Sequence, residues 1–228
     1  MSNNELCLIL ARGNSKGIPK KNLQPVGGVP LIKRSVEAAR QSVLAAQTYV
    51  STDDPEIAEC ARAAGAIIIH RPDSLATDDA TSESAVLHGL SELGLTEGRV
   101  VMVQPTSPFL TGKDISDLVH AVREHDSALT VTESHRFIWR GTQDGSLVGI
   151  NHDHRVRLRR QDIQFEEFAE NGAAYAMDIA QFRTIKHRFF GRIGHVLMPA
   201  IRSLEIDETA DLDFANVIAD FLAVRPRP

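Results

Sequence analysis

The sequence predicts an α/β protein of three layers, with a mostly parallel central sheet held between helices, and three observations carry that expectation. Short apolar runs alternate with amphipathic helical segments over the first half of the chain, the rhythm of βαβ units. The loops that follow those runs are rich in hydroxyls, amides and charges rather than merely in turn formers. The chain has 228 residues, 43% of them apolar, enough for one sizeable core and better suited to one domain over residues 1–228 than to two small ones.

The elements follow in order. Leu6 to Leu10 reads as a buried strand and Leu31 to Arg40 as a helix; Gln47 to Ser51 and Pro55 to Ala64 form the next pair. Asp54-Pro55 supports that helix start, an N-cap followed by proline at the first helical position. Ala66 to His70 precedes a helix from Ser82 to Leu93, and Val100 to Val103 precedes one from Ile115 to Glu124. After Val131 the rhythm breaks. Phe137 to Ile150, with Asp144-Gly145 at its middle, reads as a hairpin or an extended arm, and the polar stretch "NHDHRVRLRRQDIQFEEF" reads as irregular. Regular pattern returns with Ala173 to Met177, Ile179 to Lys186, Val196 to Met198 and a last helix from about Thr209 to Ala223. The tail "VRPRP" reads as frayed.

Formal net charge is -5, so no general attraction to nucleic acid or to an anionic membrane is expected, and any anion site must be local. No apolar stretch approaches the roughly 18 residues of a membrane span, and the start Met-Ser-Asn-Asn-Glu lacks the pattern of a signal peptide, so a cytoplasmic protein is expected. Cys7 and Cys60 have no metal-ligand spacing and read as core thiols.

In open parallel sheets a ligand lies outside the carboxyl ends of the strands. The loops after Leu10, Val50, Ile69 and Val103 are therefore expected to share one crevice. The first, "ARGNSKGIPKKN", has Gly13 and Gly17 for close backbone approach and the cations Arg12, Lys16, Lys20 and Lys21. Exposed amides and cations around a tight turn suit a polyphosphate, although the loop lacks the G-x-x-x-x-G-K-[ST] pattern.

"ARGNSKGIPKKN", "VSTDD", "RPDSLATDDATS", "QPTSPF", "ENGAAY" and "LEID" follow one another in an order and spacing that resembles the CMP-sialic acid synthetase (acylneuraminate cytidylyltransferase) family, from Leu6 to about Ala219. The resemblance implies a Rossmann-like nucleotidyltransferase fold. It implies transfer of CMP from CTP to the anomeric hydroxyl of a nine-carbon keto-sugar acid, with release of pyrophosphate. By the same resemblance Arg12, Ser15, Lys21 and Asn22, helped by Lys16, hold the triphosphate; Lys20, where relatives vary, is expected to be solvated. Arg71 and the stretch Ala80 to Ser82 match positions around cytosine and ribose. A structural alternative has Arg71 closing a turn on Asp78 or Asp79, and those acids capping the helix from Ser82. Gln104, with Thr106 and Ser107, matches the sugar side. Arg12, Lys21 and Asp207 are the expected catalytic groups, and no general base is assigned.

Glu205 and Asp207 alternate about Ile206, which puts both carboxylates on one side of a strand, and two acids beside a triphosphate invite Mg²⁺. Many relatives have aspartate at both positions; Glu205 is a departure, and Asp207 is the stronger expected ligand. The alternative for Asp207 is an N-cap of the last helix. The segment at about 134–170 corresponds to the family's dimerisation arm, through which a basic residue, here Arg160 with Arg140 in support, reaches the sugar carboxylate in the partner's site. The expected assembly is a homodimer with sites completed across the interface. Arg155, Arg157 and Arg159 alternate as a nucleic-acid arm would, but Val156 and Leu158 between them offer no stacking aromatics. Tyr175 is expected to face the sugar pocket, and the pair Phe189-Phe190 to pack near the acylamino group or in the core. Legionaminic, pseudaminic and deaminated neuraminic acids, the eight-carbon acid Kdo, a guanylyl-transferring relative and a catalytically silent nucleotide-sensing dimer remain open alternatives.

Overall fold

A computed structural model describes residues 4–156, 158–162 and 166–224, with the backbone alone of Arg160. The start Met-Ser-Asn, Arg157 and the last four residues of the tail lie outside the described residues. The first strand, β1 (Glu5–Leu10), shows why the apolar runs are continuous. Cys7 and Ile9 enter one apolar cluster and Leu6 and Leu8 another, because side chains alternate across a sheet that is covered on both faces. Each fully buried Leu or Ile contributes about 1.5–3 kcal/mol. Burial pushes the Cys7 thiol up to about 12, so it is inert packing.

The sheet has seven strands. Beside β1 lie β4 (Thr48–Thr52), β5 (Ile67–His70), β6 (Arg99–Val103), β7 (Ser127–Glu133), β10 (Phe168–Asp178) and β11 (Ile193–Leu197). Their order is β11-β7-β10-β6-β1-β4-β5, parallel except that β10 runs antiparallel to both neighbours. Helices α1 (Leu31–Arg40), α2 (Pro55–Ala63) and α4 (Gly112–Glu124) cover one face, and α3 (Ser82–Glu92) and α5 (Ile179–Ile185) the other. The last helix, α6 (Thr209–Val224), closes a third cluster with Ile18, Phe109 and Ile206 over the hairpin of β2 (Pro25–Val26) and β3 (Val29–Pro30). Among the described residues no helix is long and apolar enough to cross a membrane.

Several boundaries differ from the sequence reading for local reasons. Helix α4 starts three residues early, because Thr111 and Asp114 form a reciprocal capping box ahead of the first apolar residue. Asp114, which also accepts from Thr111 Oγ1 at 2.6 Å, anchors Arg202, whose Nη1 and Nη2 lie 2.5 and 3.1 Å from its two carboxylate oxygens. Strand β10 starts at Phe168 rather than Ala173, so residues 168–170, counted with the arm from sequence, pair with β7. The pairing with β7 shifts register between Glu170 and Tyr175, where Asn171-Gly172 makes a bulge inside the strand. Buried Asn171 holds the bulge by accepting from Thr130 Oγ1 at 2.7 Å and donating to Ser203 Oγ at 3.2 Å. The expected hairpin is present as β8 (Trp139–Gly141) and β9 (Leu147–Gly149), with Gly145 at positive φ in its turn.

Buried Asp114 generates a prediction. Burial alone would raise its carboxyl, but hydrogen bonds from Arg202 and Thr111 outweigh it and hold the group below its ordinary value. A carboxyl depressed on folding contributes stability that is complete above its unfolded pKa of about 4 and is lost as pH falls through the folded value. Asp114→Asn is therefore expected to lower unfolding free energy by about 3 kcal/mol at neutral pH, with the gap to wild type narrowing by about pH 3. Urea titrations at both pH values measure this, and a gap that stays constant would contradict it.

Candidate active site

Strand order runs from β1 outward to β4 and β5, then returns to β6 on the other side of β1, which makes a topological switch point at the carboxyl edge. A cleft of about 390 Å³ opens there. Three loops and one approach segment line it: Arg12, Ser15, Lys16, Lys21 and Asn22 after β1; Arg71, Ala80 and Ser82 after β5; Gln104 and Thr106 after β6; and Glu205 and Asp207 before α6. The loop after β4 supports the cleft without lining it, since Asp53 Oδ1 accepts the Gly13 amide at 3.0 Å and Asp54 caps α2.

The groups expected on the nucleotide side are held by their neighbours. Buried Asn22 donates to the Arg12 carbonyl at 2.9 Å and so fixes the bend of the loop. Lys21 Nζ donates to the Ile206 carbonyl at 2.8 Å and to Asp207 Oδ1 at 3.1 Å, joining the first loop to the last acid. Lys20 points away from the cleft and pairs with Glu56 rather than being simply solvated. Arg71 is 7% exposed, and it donates through Nε to Ser51 Oγ at 3.0 Å and through Nη2 to Ser51 O at 2.6 Å. Burial pulls its guanidinium down to about 10, still protonated at neutral pH. The alternative pairing of Arg71 with Asp78 or Asp79 does not occur. Thr81 caps α3, accepting from the Ser84 amide, so neither aspartate is the cap.

Glu205 and Asp207 lie on an irregular segment, not on a strand. Their common direction survives because buried Ile206 turns into the third cluster and donates its amide to the Thr106 carbonyl at 2.8 Å, leaving its neighbours to face the cleft. Two glycines make room. A Cβ on Gly17 would stand 2.3 Å from the Asp207 carbonyl oxygen, and one on Gly172 would stand 2.8 Å from Glu205 Oε2. Asp207 stands two residues before α6, and Asp211 in the first turn of that helix accepts the amides of Asp207 and Glu208 at 3.0 and 2.9 Å. Among the described residues no three His, Cys, Asp or Glu converge as a metal cage.

Ser107, Tyr175, Phe189 and Phe190 are not among the lining residues. Ser107 is buried with its hydroxyl donating to the Asn171 carbonyl at 3.4 Å. Tyr175 is buried and donates its hydroxyl to Glu170, while Phe189 meets its ring edge-on at 5.8 Å and Phe190 packs in the second core cluster. Arg140 is exposed on β8, and of Arg160 only the backbone is described, in a single 3₁₀ turn. The sequence reading passed over Arg188, which stands 4.5 Å above the Tyr175 ring and pairs with Glu83 at 2.6 Å. A partner 105 residues away leaves no sequence signal.

Comparison with known proteins agrees with this geometry. The family model for cytidylyltransferases matches residues 6–170. The chain is 36% identical over 173 residues to N-acylneuraminate cytidylyltransferase A of Danio rerio, covering 74% of this chain and 40% of that one. It is 31% identical over 222 residues to the N-acylneuraminate cytidylyltransferase of Escherichia coli O18:K1:H7, covering 93% of this chain and 51% of that one. The chain thus spans about half the length of the curated relatives it matches, or less. Among solved structures it resembles a CMP:2-keto-3-deoxy-manno-octonic acid synthetase complexed with CTP, with a TM-score of 0.70, 16% identity and coverage of 96% and 98% of the two chains. A 4-diphosphocytidyl-2C-methyl-D-erythritol synthase from Anaerococcus prevotii gives 0.68 at 14% identity, with coverage of 95% and 98%. At such identities the likeness is one of fold.

The acid pair generates a titration prediction. Burial first, then the charge of Asp207, raises the Glu205 carboxyl above its ordinary value, against the opposing pull of Lys21. Asp207→Asn is expected to lower the Glu205 midpoint and Lys21→Ala to raise it, as followed by carboxyl ¹³C shifts. An unmoved midpoint in the first variant would mean that the two acids do not sense each other.

Proposed function

The chain belongs to the cytidylyltransferase family, and from that premise we propose that it joins CMP to a nine-carbon keto-sugar acid, an N-acylneuraminate or close analogue. The sugar's anomeric oxygen attacks the α-phosphorus of CTP, its proton passes to water, the bond from α-phosphorus to the bridging oxygen breaks, and pyrophosphate leaves. Such a transfer needs positioning and charge stabilisation more than covalent chemistry from the protein. The observation that carries the reading is that Arg12, Lys16 and Lys21, the amide of Gln104 and the acids Glu205 and Asp207 line one cleft at the switch point.

The residues divide by chemistry. Arg12, Ser15, Lys16, Lys21 and Asn22 serve the triphosphate; Arg71 with Ala80 and Ser82 serves the nucleoside; Gln104 and Thr106 serve the sugar. Ser107, Tyr175, Phe189 and Phe190 then act as the supports of the sugar wall. Lys21, held between the Ile206 carbonyl and Asp207, is in a position to stabilise charge on the transferring phosphate. Two mutually repelling carboxylates, short of a full cage, suit a cation that shares its sphere with phosphate and water, and Mg²⁺ held by Asp207 with Glu205 would supply positive charge to the phosphates.

The arm supports a homodimer. Trp139, Leu147, Val148 and Ile150 are between 44% and 62% exposed on or beside the hairpin, an apolar surface that a second copy would cover. In that assembly Arg160 pairs with the sugar carboxylate in the partner's site. Retention of a sugar-side amide at Gln104 favours an enzyme over a nucleotide sensor.

Pyrophosphate release from CTP and Mg²⁺, tested with a panel of nine-carbon and eight-carbon keto acids, decides among the substrates, and no release with any acid would reject the reading. Lys21→Ala and Asp207→Asn are each expected to lose about 2.7–4 kcal/mol of transition-state stabilisation. Arg160→Ala is expected to weaken sugar-acid binding far more than CTP binding, and equal losses would contradict its role.

A further inference from the structure

Two of the cations assigned to the triphosphate already hold an anion. Arg12 Nη1 lies 2.9 Å from Asp78 Oδ1, and Lys16 Nζ lies 3.0 Å from Asp78 Oδ2, so one carboxylate turns one oxygen to each cation. Arg12 Nη1 also donates to the Thr77 carbonyl at 2.8 Å, which fastens the loop after β5 to the loop after β1. Asp78 and Asp79 are both exposed, but only Asp78 lines the cleft. Lys16 first, and then Arg12, holds the Asp78 carboxyl below its ordinary value, so it is ionised at neutral pH and competes as a full charge.

We infer that Asp78 is a built-in competitor for the phosphate-binding cations: it yields them to the incoming triphosphate and takes them back as pyrophosphate departs. The inference rests on the reading of this cleft as a triphosphate site. Its physical basis is exchange. Arg12 Nη1 already gives its hydrogens to Asp78 and to the Thr77 carbonyl, and a phosphate drawn to Arg12 and Lys16 is repelled by the Asp78 carboxylate between them, so a ligand that engages both cations fully must displace that carboxylate. That cost falls on the substrate and on pyrophosphate alike. It matters most for the product, because a polyanion of several charges held by unopposed cations would leave slowly. A carboxylate on a loop beside the site can replace the product's contacts one at a time, so the cations are never left bare during release. No covalent step is involved; two ion pairs exchange partners.

The experiment compares wild type, Asp78→Asn and Asp79→Asn in metal-free buffer, with calorimetric titration of inorganic tripolyphosphate and pyrophosphate. Asp78→Asn is expected to tighten both by the same factor, roughly 3- to 30-fold for the removal of two exposed ion pairs. Asp79→Asn deletes the same charge one residue away without touching either pair, and it is expected to stay within about twofold of wild type. In turnover, inhibition by added pyrophosphate should strengthen in Asp78→Asn by the same factor as binding. If wild type binds the polyphosphates and Asp78→Asn binds them no better, or worse, the exchange is refuted while the nucleotide site stands. Equal tightening in both variants refutes it too, since only net charge would then matter. If wild type binds neither polyphosphate, the reading of the site fails and the inference falls with it.

Discussion

Covering the sheet on both faces is the constraint on which the rest depends. β1 gives Cys7 and Ile9 to one side and Leu6 and Leu8 to the other, β6 repeats this with Val101 and Val103 against Val100 and Met102, and β10 does so with Ala174 and Ala176 against Tyr175 and Met177. A strand buried on both faces cannot carry polar function along its length. Chemistry is therefore pushed to the strand tips, and because β1, β4, β5 and β6 are parallel, their polar loops emerge at one edge. An acidic chain thus concentrates cations where the core geometry leaves room for them.

That division explains what could be read from sequence. Apolar runs and helix periods reveal β1, α1, β4, α2, β5, α3, β6 and α4, but not the short β2–β3 hairpin, because burial largely dictates the composition of the former. Where polar residues enter an element, the pattern fails. Strand β10 contains Glu170, Asn171 and Gly172, so its first half looks like loop, yet Asn171 is stabilised there by hydrogen bonds from residues 41 and 2 positions away. The segment around Ile206 has the alternation of a strand without strand pairing, because one buried side chain and two facing acids impose the same pattern on irregular backbone.

The cleft was legible to a similar depth. Loop residues that line the cleft carry their chemistry in their identity, and Arg12, Lys21, Gln104 and Asp207 meet in one place. Groups that act through a distant partner do not. Nothing in the string "ATDDATS" says that the first aspartate faces Arg12 and Lys16 while the second faces solvent. Arg71 is similar: its type is plain, but its anchoring on Ser51 needs β4 and β5 side by side.

The bond from Lys21 to the Ile206 carbonyl spans 185 positions. It implies an order of events during synthesis. The cleft residues Arg12, Arg71 and Gln104 emerge from the ribosome within the first half of the chain, but Lys21 finds its acceptors only after residue 207 has been made. Pairing over such a separation is slow to nucleate, and domains begin to organise while the remainder is still being added. A nascent chain halted before that point would hold the sheet and the Asp78 pairs of the basic loop, but would leave Lys21 without Asp207 and the cleft without its acidic side. The segment around Ile206 thus completes the cleft.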